Sequence, residues 1–194
     1  MSGLAGQTVG ELIEALAAPS PSPGGGSSAA LACALAAGLA EMTAAIAGAS
    51  ADPAASERLD EHRSRAGELR ELALALADRE LSSYRPVLAA IRETQGRADH
   101  DRRVREALAA ASGPPLEIAQ AAAEVSTIAL ELAGHASASV RGDVITSVLL
   151  AEAAARSAAT LVETNLQRNP GDERVTAARS AAEQAASARR RVLG

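Results

Sequence analysis

The chain has 194 residues, of which about a quarter are alanine, while phenylalanine and tryptophan are absent and Tyr84 is the one tyrosine. Its formal net charge is -5, and its basic residues are arginines and three histidines. This composition excludes non-specific nucleic-acid binding, which needs a basic face and aromatic side chains for base stacking. The single cysteine, Cys33, excludes an internal disulfide framework and indicates a protein of the reducing cytoplasm.

The composition predicts an all-α fold, because alanine has the highest helix propensity and no segment alternates as strands do. We expect one domain over residues 1–194, an up-and-down bundle of long antiparallel helices that approach one another closely. The alanine-rich segment 29–49 resembles a membrane span, but Glu41 lies in its middle and alanine is too weakly hydrophobic to offset that charge. We therefore interpret it as a buried helix and expect no membrane partner.

The first two predicted helices flank an unusual loop. Thr8 and Glu11 form a capping box for a short first helix, which the prolines from position 19 onward end. A second helix, buried on nearly every face, begins with Ser27 or Ser28 as its N-cap and runs to about Gly48.

The loop over residues 19–28, PSPSPGGGSS, is the least ordinary feature of the chain. Its glycines allow positive φ and a close approach of the backbone to a ligand. The helix that follows offers unpaired N–H groups and a partial positive charge to a carboxylate, a phosphate or a developing oxyanion. The loop is not a nucleotide P-loop, since the lysine of that motif is missing. A tight connection between two helices is the alternative interpretation.

A third helix is predicted to start with Asp52 as N-cap and to extend as far as Arg92. A helical wheel places Glu80 within its apolar sector, whereas Asp78 falls on the opposite, solvated side. Burial would raise the pKa of Glu80 toward the range that is useful in proton transfer. A core ion pair or an interface position would also explain a carboxylate there.

The later helices are delimited by turn residues and caps. Gly96 breaks the third helix, and a short charged helix follows it. Asp143 is predicted as the N-cap of a helix that ends before Asn169, Pro170 and Gly171, a role that needs no catalytic function. No spacing among the histidines, the cysteine and the acids suggests a metal site. The four helices predicted after Gly96 span residues 99–111, 114–134, 143–167 and 173–192.

These motifs together resemble the family of formimidoyltetrahydrofolate cyclodeaminases and methenyltetrahydrofolate cyclohydrolases. The segments ELIEALAA and PSPSPGGGSSAALACALAAGLAEM are similar to its opening L-x-x-L-A-S-P-x-P-x-P-G-G-G-S-A-A-A-L pattern. ELSSY at 80–84 resembles its D-x-x-A-[FY], and PLEIA at 115–119 resembles its P-L-x-I-A. Asp143, LLAEAA and Asn165 resemble later family positions. Glu80, Gln95 and Leu161 differ from the family's aspartate, lysine and asparagine.

The resemblance implies an all-helical homodimer that binds a tetrahydrofolate derivative as its substrate, without a prosthetic group or a metal. In cyclodeamination, N10 attacks the formimidoyl carbon and ammonia leaves; the related reaction hydrolyses 5,10-methenyltetrahydrofolate. Glu80 and Asp143 would be the catalytic carboxylates. The substrate-binding residues it implies are Pro23, Gly24, Gly25, Gly26, Ser27, Tyr84, Arg141 and Asn165.

Two other interpretations are open at this stage. A non-catalytic relative would keep the helical dimer and bind a small ligand or a partner protein. A purely structural helical bundle would explain the alanine content but neither Glu80 nor the triple glycine.

Overall fold

The computed structural model describes residues 3–19, 23–167, 169 and 171–194. In these ranges the chain forms helices and no strand, which confirms the predicted all-α fold. A 3-10 helix over Leu4–Gly6 precedes eight α-helices. Their bounds are α1 Val9–Ala17, α2 Gly25–Gly48, α3 Pro53–Ser83, α4 Arg85–Thr94, α5 His100–Ala110, α6 Gly113–Ala133, α7 Arg141–Asn165 and α8 Glu173–Leu193.

Helix α2 lies among α3, α6 and α7, and α8 packs on α6 and α7. Helices α2 and α3 run antiparallel: the Ser27 hydroxyl donates to Ala77 O near the end of α3, and Gly48 contacts Leu59 near its start. Alanines dominate the buried side chains, as expected for closely spaced helices. We call the end of the bundle with the start of α2 and the ends of α3 and α7 the glycine end, and the opposite end the far end.

Local capping signals predicted several helix starts correctly. The Thr8 hydroxyl accepts the Glu11 N–H at 3.3 Å, and the Glu11 carboxylate accepts the Thr8 N–H at 2.8 Å, which confirms the capping box. Asp52 caps α3 by accepting the N–H groups of Ala54 and Ala55, each at 3.1 Å. These contacts lie within one turn, so the sequence alone specifies them.

The start of α2 differs from the prediction. The helix begins at Gly25 with Gly24 in the N-cap position, and no side chain caps its first turn. Ser28 is not the cap, because its hydroxyl donates to Gly24 O. Ser27 is turned toward α3 instead. Residues 20–22 of the predicted loop lie outside the described residues.

The prediction of one helix from Asp52 to Arg92 is also wrong. The chain forms two helices that meet at Tyr84, because Pro86 lacks an N–H group and its ring clashes with the carbonyl four residues earlier. The break lies at the glycine end. Tyr84 therefore lies at a helix junction, one turn after Glu80.

Two predictions about aspartates need correction. Asp143 lies within the first turn of α7, which begins at Arg141, so it is not the N-cap. Asp78 is not on a fully solvated face: it is half-buried, and its carboxylate accepts the Leu4 N–H at 2.7 Å. The N-terminal segment folds back over α3, which the periodicity of α3 alone does not reveal. Pro170, predicted to follow α7, lies outside the described residues.

Two helices, α2 and α7, are long and apolar enough to cross a membrane, although core helices of soluble proteins meet the same criteria. Only 50% of the apolar window of α2 and 44% of that of α7 is buried within the bundle. Glu41 is partly exposed on α2 and pairs with Arg70, but another exposed side of the helix carries no charge. Its residues, which we call the α2 stripe, follow helical spacing: Ser28, Ala32, Leu35, Leu39, Met42 and Ile46.

Candidate active site at the glycine end

A cavity of about 330 Å³ lies where the start of α2 faces the end of α3 and the end of α7. Three structural elements that are distant in sequence therefore contribute to one site. Most of the residues predicted to bind or transform a substrate meet there. The lining residues are Gly24, Gly25, Gly26, Ser27, Glu80, Leu81, Tyr84, Leu161, Thr164 and Asn165.

Glu80 is the titratable group of this cavity. Its side chain is half-buried, and its Oε2 atom is buried without a hydrogen-bond partner among the described residues. Burial raises the pKa of the Glu80 carboxyl group to about 7, because desolvation penalises its charged form. A carboxyl group with this pKa exchanges a proton readily near neutral pH. The predicted burial of Glu80 and the rise of its pKa are confirmed.

Of the three consecutive glycines, Gly26 is the one whose lack of a side chain the packing at this site requires. A Cβ atom there would collide with Cγ, Cδ and Oε1 of Glu80, whereas one on Gly25 would meet no atom within 4 Å. We predicted that the glycines permit positive φ, but among the described residues only Gly96 and Gly194 have it. The glycine at position 26 is therefore required by the close approach of the Glu80 side chain to the α2 backbone.

The first turn of α2 contributes backbone N–H groups and a partial positive charge to the site, rather than a polar side chain. Since no side chain caps it, its N–H groups remain available at the positive end of the helix dipole. Ser27 is fully buried, and its hydroxyl is engaged at 3.1 Å with Ala77 O. This bond holds the start of α2 against the turn of α3 that precedes Glu80. The backbone of α2 is thus the polar surface that faces the carboxyl group.

Tyr84 and Asn165 were predicted as binding residues, and both line the cavity. Asn165 is the last residue of α7, and its side chain makes no hydrogen bond with the described residues. Three further residues line the cavity that the sequence did not predict there: Leu81, Leu161 and Thr164. Leu161 precedes Asn165 by one helical turn, so helical spacing would have found it. Pro23 adjoins Gly24 but does not line the cavity.

Two predicted site residues, Arg141 and Asp143, lie at the far end instead. They are in the first turn of α7, whereas Asn165 is in its last. At 1.5 Å per residue, Asp143 and Asn165 are about 33 Å apart along the helix axis. Arg141 is exposed and Asp143 is half-buried. Within one chain, therefore, neither residue reaches the cavity that contains Glu80.

The model of the formiminotransferase-cyclodeaminase family matches residues 8–184. The chain belongs to that family. The matched range contains the whole cavity as well as both ends of α7. The cyclodeaminase family thus accounts for the resemblance of the loop and of the ELSSY segment.

Among solved structures, the fold is similar to the crystal structure of formiminotetrahydrofolate cyclodeaminase from Thermotoga maritima. The TM-score is 0.86 at 18% sequence identity, over 97% of this chain and 95% of that chain. At this identity the likeness establishes the fold. No sequence match was found among curated proteins.

Proposed function

We propose that the protein is a cytoplasmic folate enzyme that cyclodeaminates 5-formimidoyltetrahydrofolate to 5,10-methenyltetrahydrofolate and ammonia, or hydrolyses the methenyl compound. The observation that carries this proposal is the Glu80 carboxyl group, with a pKa of about 7, in a cavity beside the uncapped start of α2. Membership of the cyclodeaminase family supports a folate as the substrate class. A proton-transfer group near neutral pH is what both reactions need.

The cyclodeamination balances with one proton-transfer group. N10 attacks the carbon of the protonated formimidoyl group, a C–N10 bond forms as the C=N double bond becomes single, and the tetrahedral carbon carries the former imine nitrogen as an –NH2 amine. Glu80 accepts the N10 proton and donates a proton to that amine, so the C–N bond breaks and ammonia leaves. The N5–C–N10 bridge remains as the methenyl cation. Because N10 and the carbon belong to one molecule, positioning supplies much of the rate and only modest acid-base assistance is required.

The methenyl hydrolysis uses the same atoms. Glu80 takes a proton from the water that adds to the bridging carbon, and returns it to the nitrogen whose bond to that carbon breaks. The remaining hydroxyl proton is released to solvent as the formyl C=O bond forms. The N–H groups at the start of α2 stabilise negative charge that develops on oxygen. The substrate's pterin and its one-carbon group would lie between this turn and Tyr84.

A homodimer is the second part of the proposal. The α2 stripe is uncharged along the helix, and α1 leaves Val9 and Ile13 73% and 59% exposed. Val9 lines one groove together with Leu35, which is 64% exposed. An apolar surface this long on a central helix is typical of a subunit interface. A second copy of the chain supplies the same uncharged stripe, so a two-fold contact is self-complementary.

Such a dimer would place Asp143 of one copy near the active site of the other. A two-fold axis perpendicular to α2 and α7, near the middle of the stripe, places the far end of one copy beside the glycine end of the other. Asp143 of a second copy would then face the cavity that holds Glu80, and Arg141 would lie nearby. This arrangement accommodates both predicted carboxylates, which are about 33 Å apart along α7 within one chain.

The activity is tested with purified full-length protein. We expect ammonia release from 5-formimidoyltetrahydrofolate or loss of the near-UV band of 5,10-methenyltetrahydrofolate, together with a folate-induced rise in melting temperature. Absence of both turnover and stabilisation would overturn the proposal. Stabilisation without turnover would identify a non-catalytic relative that binds the ligand.

The dimer is tested by placing a charge on the α2 stripe. Leu35→Glu is expected to convert a dimer to a monomer, measured by light scattering coupled to size exclusion. Leu193→Glu is the matched control, because Leu193 is 46% exposed but lies at the end of α8, away from the stripe. If the wild-type protein is already monomeric, or if both variants dissociate equally, the stripe is not the interface.

A further inference from the structure

A second cavity, of about 220 Å³, adjoins the candidate active site. Asn165 lines both cavities, so they lie on two sides of the same side chain at the end of α7. The second cavity is formed mainly by α5, the helix that follows the α3–α4 break. A ligand that extends past Asn165 from the first cavity enters the second.

The lining of this second cavity is apolar on one side and charged on the other. Val104 and Leu108 are one turn apart on α5, and both are partly buried. They form an apolar wall suited to an aromatic ring. Arg105, between them in sequence, also lines the cavity and is exposed. This combination fits a ligand that carries an aromatic ring followed by a carboxylate.

Among the arginines of α5, Arg105 is the one that lines this cavity. The guanidinium of Arg102 pairs with Glu106 at 2.9 Å, whereas Arg105 has no ion pair or hydrogen bond with the described residues. Asp101 lines the same cavity one turn earlier, and its negative charge opposes a ligand carboxylate. The preference of this cavity for an anion therefore depends on Arg105.

We propose that the cavity beyond Asn165 receives the aminobenzoyl-glutamate part of the folate, and that Arg105 binds its glutamate carboxylates. This inference rests on the proposed function and adds the residue that recognises the anionic tail. An arginine suits this role because its guanidinium presents paired N–H donors that match a carboxylate. The pterin would remain in the first cavity beside Glu80.

The test compares three stable probes by calorimetry on the full-length protein: 5-formyltetrahydropteroate, which lacks glutamate, and the monoglutamate and triglutamate of 5-formyltetrahydrofolate. For Arg105→Gln we expect about tenfold weaker binding of both glutamate-bearing probes, since hydrogen bonds to charged groups are lost. The pteroate should bind wild type and variant equally. Arg105→Lys should restore part of the difference because it retains the charge.

Arg103→Gln is the matched control. Arg103 is exposed on the same helix but does not line the cavity. An equal loss in Arg103→Gln, or unchanged binding in Arg105→Gln, would overturn the assignment of Arg105 while leaving the proposed function standing. A wild-type protein that binds none of the three probes would overturn both. Weaker pteroate binding in Arg105→Gln would place Arg105 at the pterin instead and contradict the tail assignment.

Discussion

The two ends of α7 differ in how completely one chain builds them. At the glycine end, Asn165 joins Glu80, Tyr84 and the first turn of α2 around a cavity, and Glu80 lies directly against Gly26. At the far end, Arg141 and Asp143 stand in the first turn of α7, and Arg141 is exposed. The glycine end is a site already assembled within the chain, whereas Arg141 and Asp143 at the far end do not line that cavity.

This difference shows what an uncharged exposed surface can contribute to a site. The α2 stripe runs from the glycine end toward the far end along one helix. In the proposed dimer, a two-fold contact through the stripe would bring opposite ends of two copies together. The far end of one chain would then complement the assembled end of the other. The predictions below test whether the two ends act together or separately.

The largest effect is expected when either carboxylate is removed. Glu80→Gln and Asp143→Asn should each lower kcat/KM by about 10²- to 10⁴-fold, the usual contribution of a proton-transfer group. Co-expression with two different affinity tags yields the heterodimer that carries one change in each chain. If the ends of different chains meet, one of its two sites is intact, and about half of the wild-type activity returns.

The heterodimer also discriminates between the alternatives. If Asp143 acted within its own chain, both sites of the heterodimer would be defective and its activity would stay as low as that of the single variants. If Asp143→Asn alone retained full activity, the far end would have no catalytic role. Glu80→Asp is a useful companion, because it restores the carboxylate length of the family pattern.

The next largest effect concerns the contact between Gly26 and Glu80. Gly26→Ala places a methyl group where the Glu80 side chain lies, so the carboxylate must move. A displacement of about 1 Å should lower kcat/KM by about 10²-fold. Gly38→Ala is the matched control on α2, because its added Cβ would meet only Arg70 Cδ at 3.6 Å, an ordinary contact. Equal activity in both variants would contradict the required approach.

The carboxyl group of Glu80 at the glycine end should also make the free energy of unfolding depend on pH. Glu80 has a pKa of about 7 when folded, against 4.5 for a free carboxyl group, so the folded state binds more protons between these values. The free energy of unfolding therefore falls as pH rises from about 4.5 to 7 and then levels off.

We expect the melting temperature of the wild type to fall by roughly 4–8 °C relative to Glu80→Gln between pH 5 and pH 8, after allowing for partial solvent screening. Melting curves of both proteins across this range measure the difference. A constant difference would mean that the Glu80 pKa is the same in both states.

Much of the glycine end was predictable from the sequence. Helical periodicity placed Glu80 in the apolar sector of α3, and the loop pattern indicated a close approach of the backbone. What failed depended on contacts distant in sequence. The hydroxyl of Ser27 bonds to Ala77, fifty residues away, and so does not serve as the predicted N-cap. Asp78 meets the Leu4 N–H, seventy-four residues away, for which α3 holds no signal.

The prediction that Asp143 and Asn165 belong to one site failed within a single chain for a different reason. Both were assigned to one predicted helix, at its opposite ends, so the rise of an α-helix already implied about 33 Å between them. The resemblance supplied both as site residues without regard to that length. The reason a single chain cannot bring both residues to one cavity was thus present in the sequence.

The smallest effect is expected from two buried serines that bridge helices. The Ser27 hydroxyl donates to Ala77 O at 3.1 Å, and the Ser147 hydroxyl donates to Ala36 O at 2.8 Å. Each alanine substitution should cost about 1 kcal/mol, or roughly 2–4 °C in melting temperature, because the acceptor carbonyls lie within helices and keep their backbone partners.

The two serines should nevertheless differ in activity. Ser27 fixes α2 to the turn of α3 that precedes Glu80, so Ser27→Ala should also lower kcat/KM by letting Gly26 and the carboxylate drift apart. Ser147 joins α7 to the middle of α2, and its loss should leave kcat/KM near the wild-type value. Equal losses of activity in the two variants would mean that general loosening of the bundle, and not the spacing at Gly26, controls the reaction.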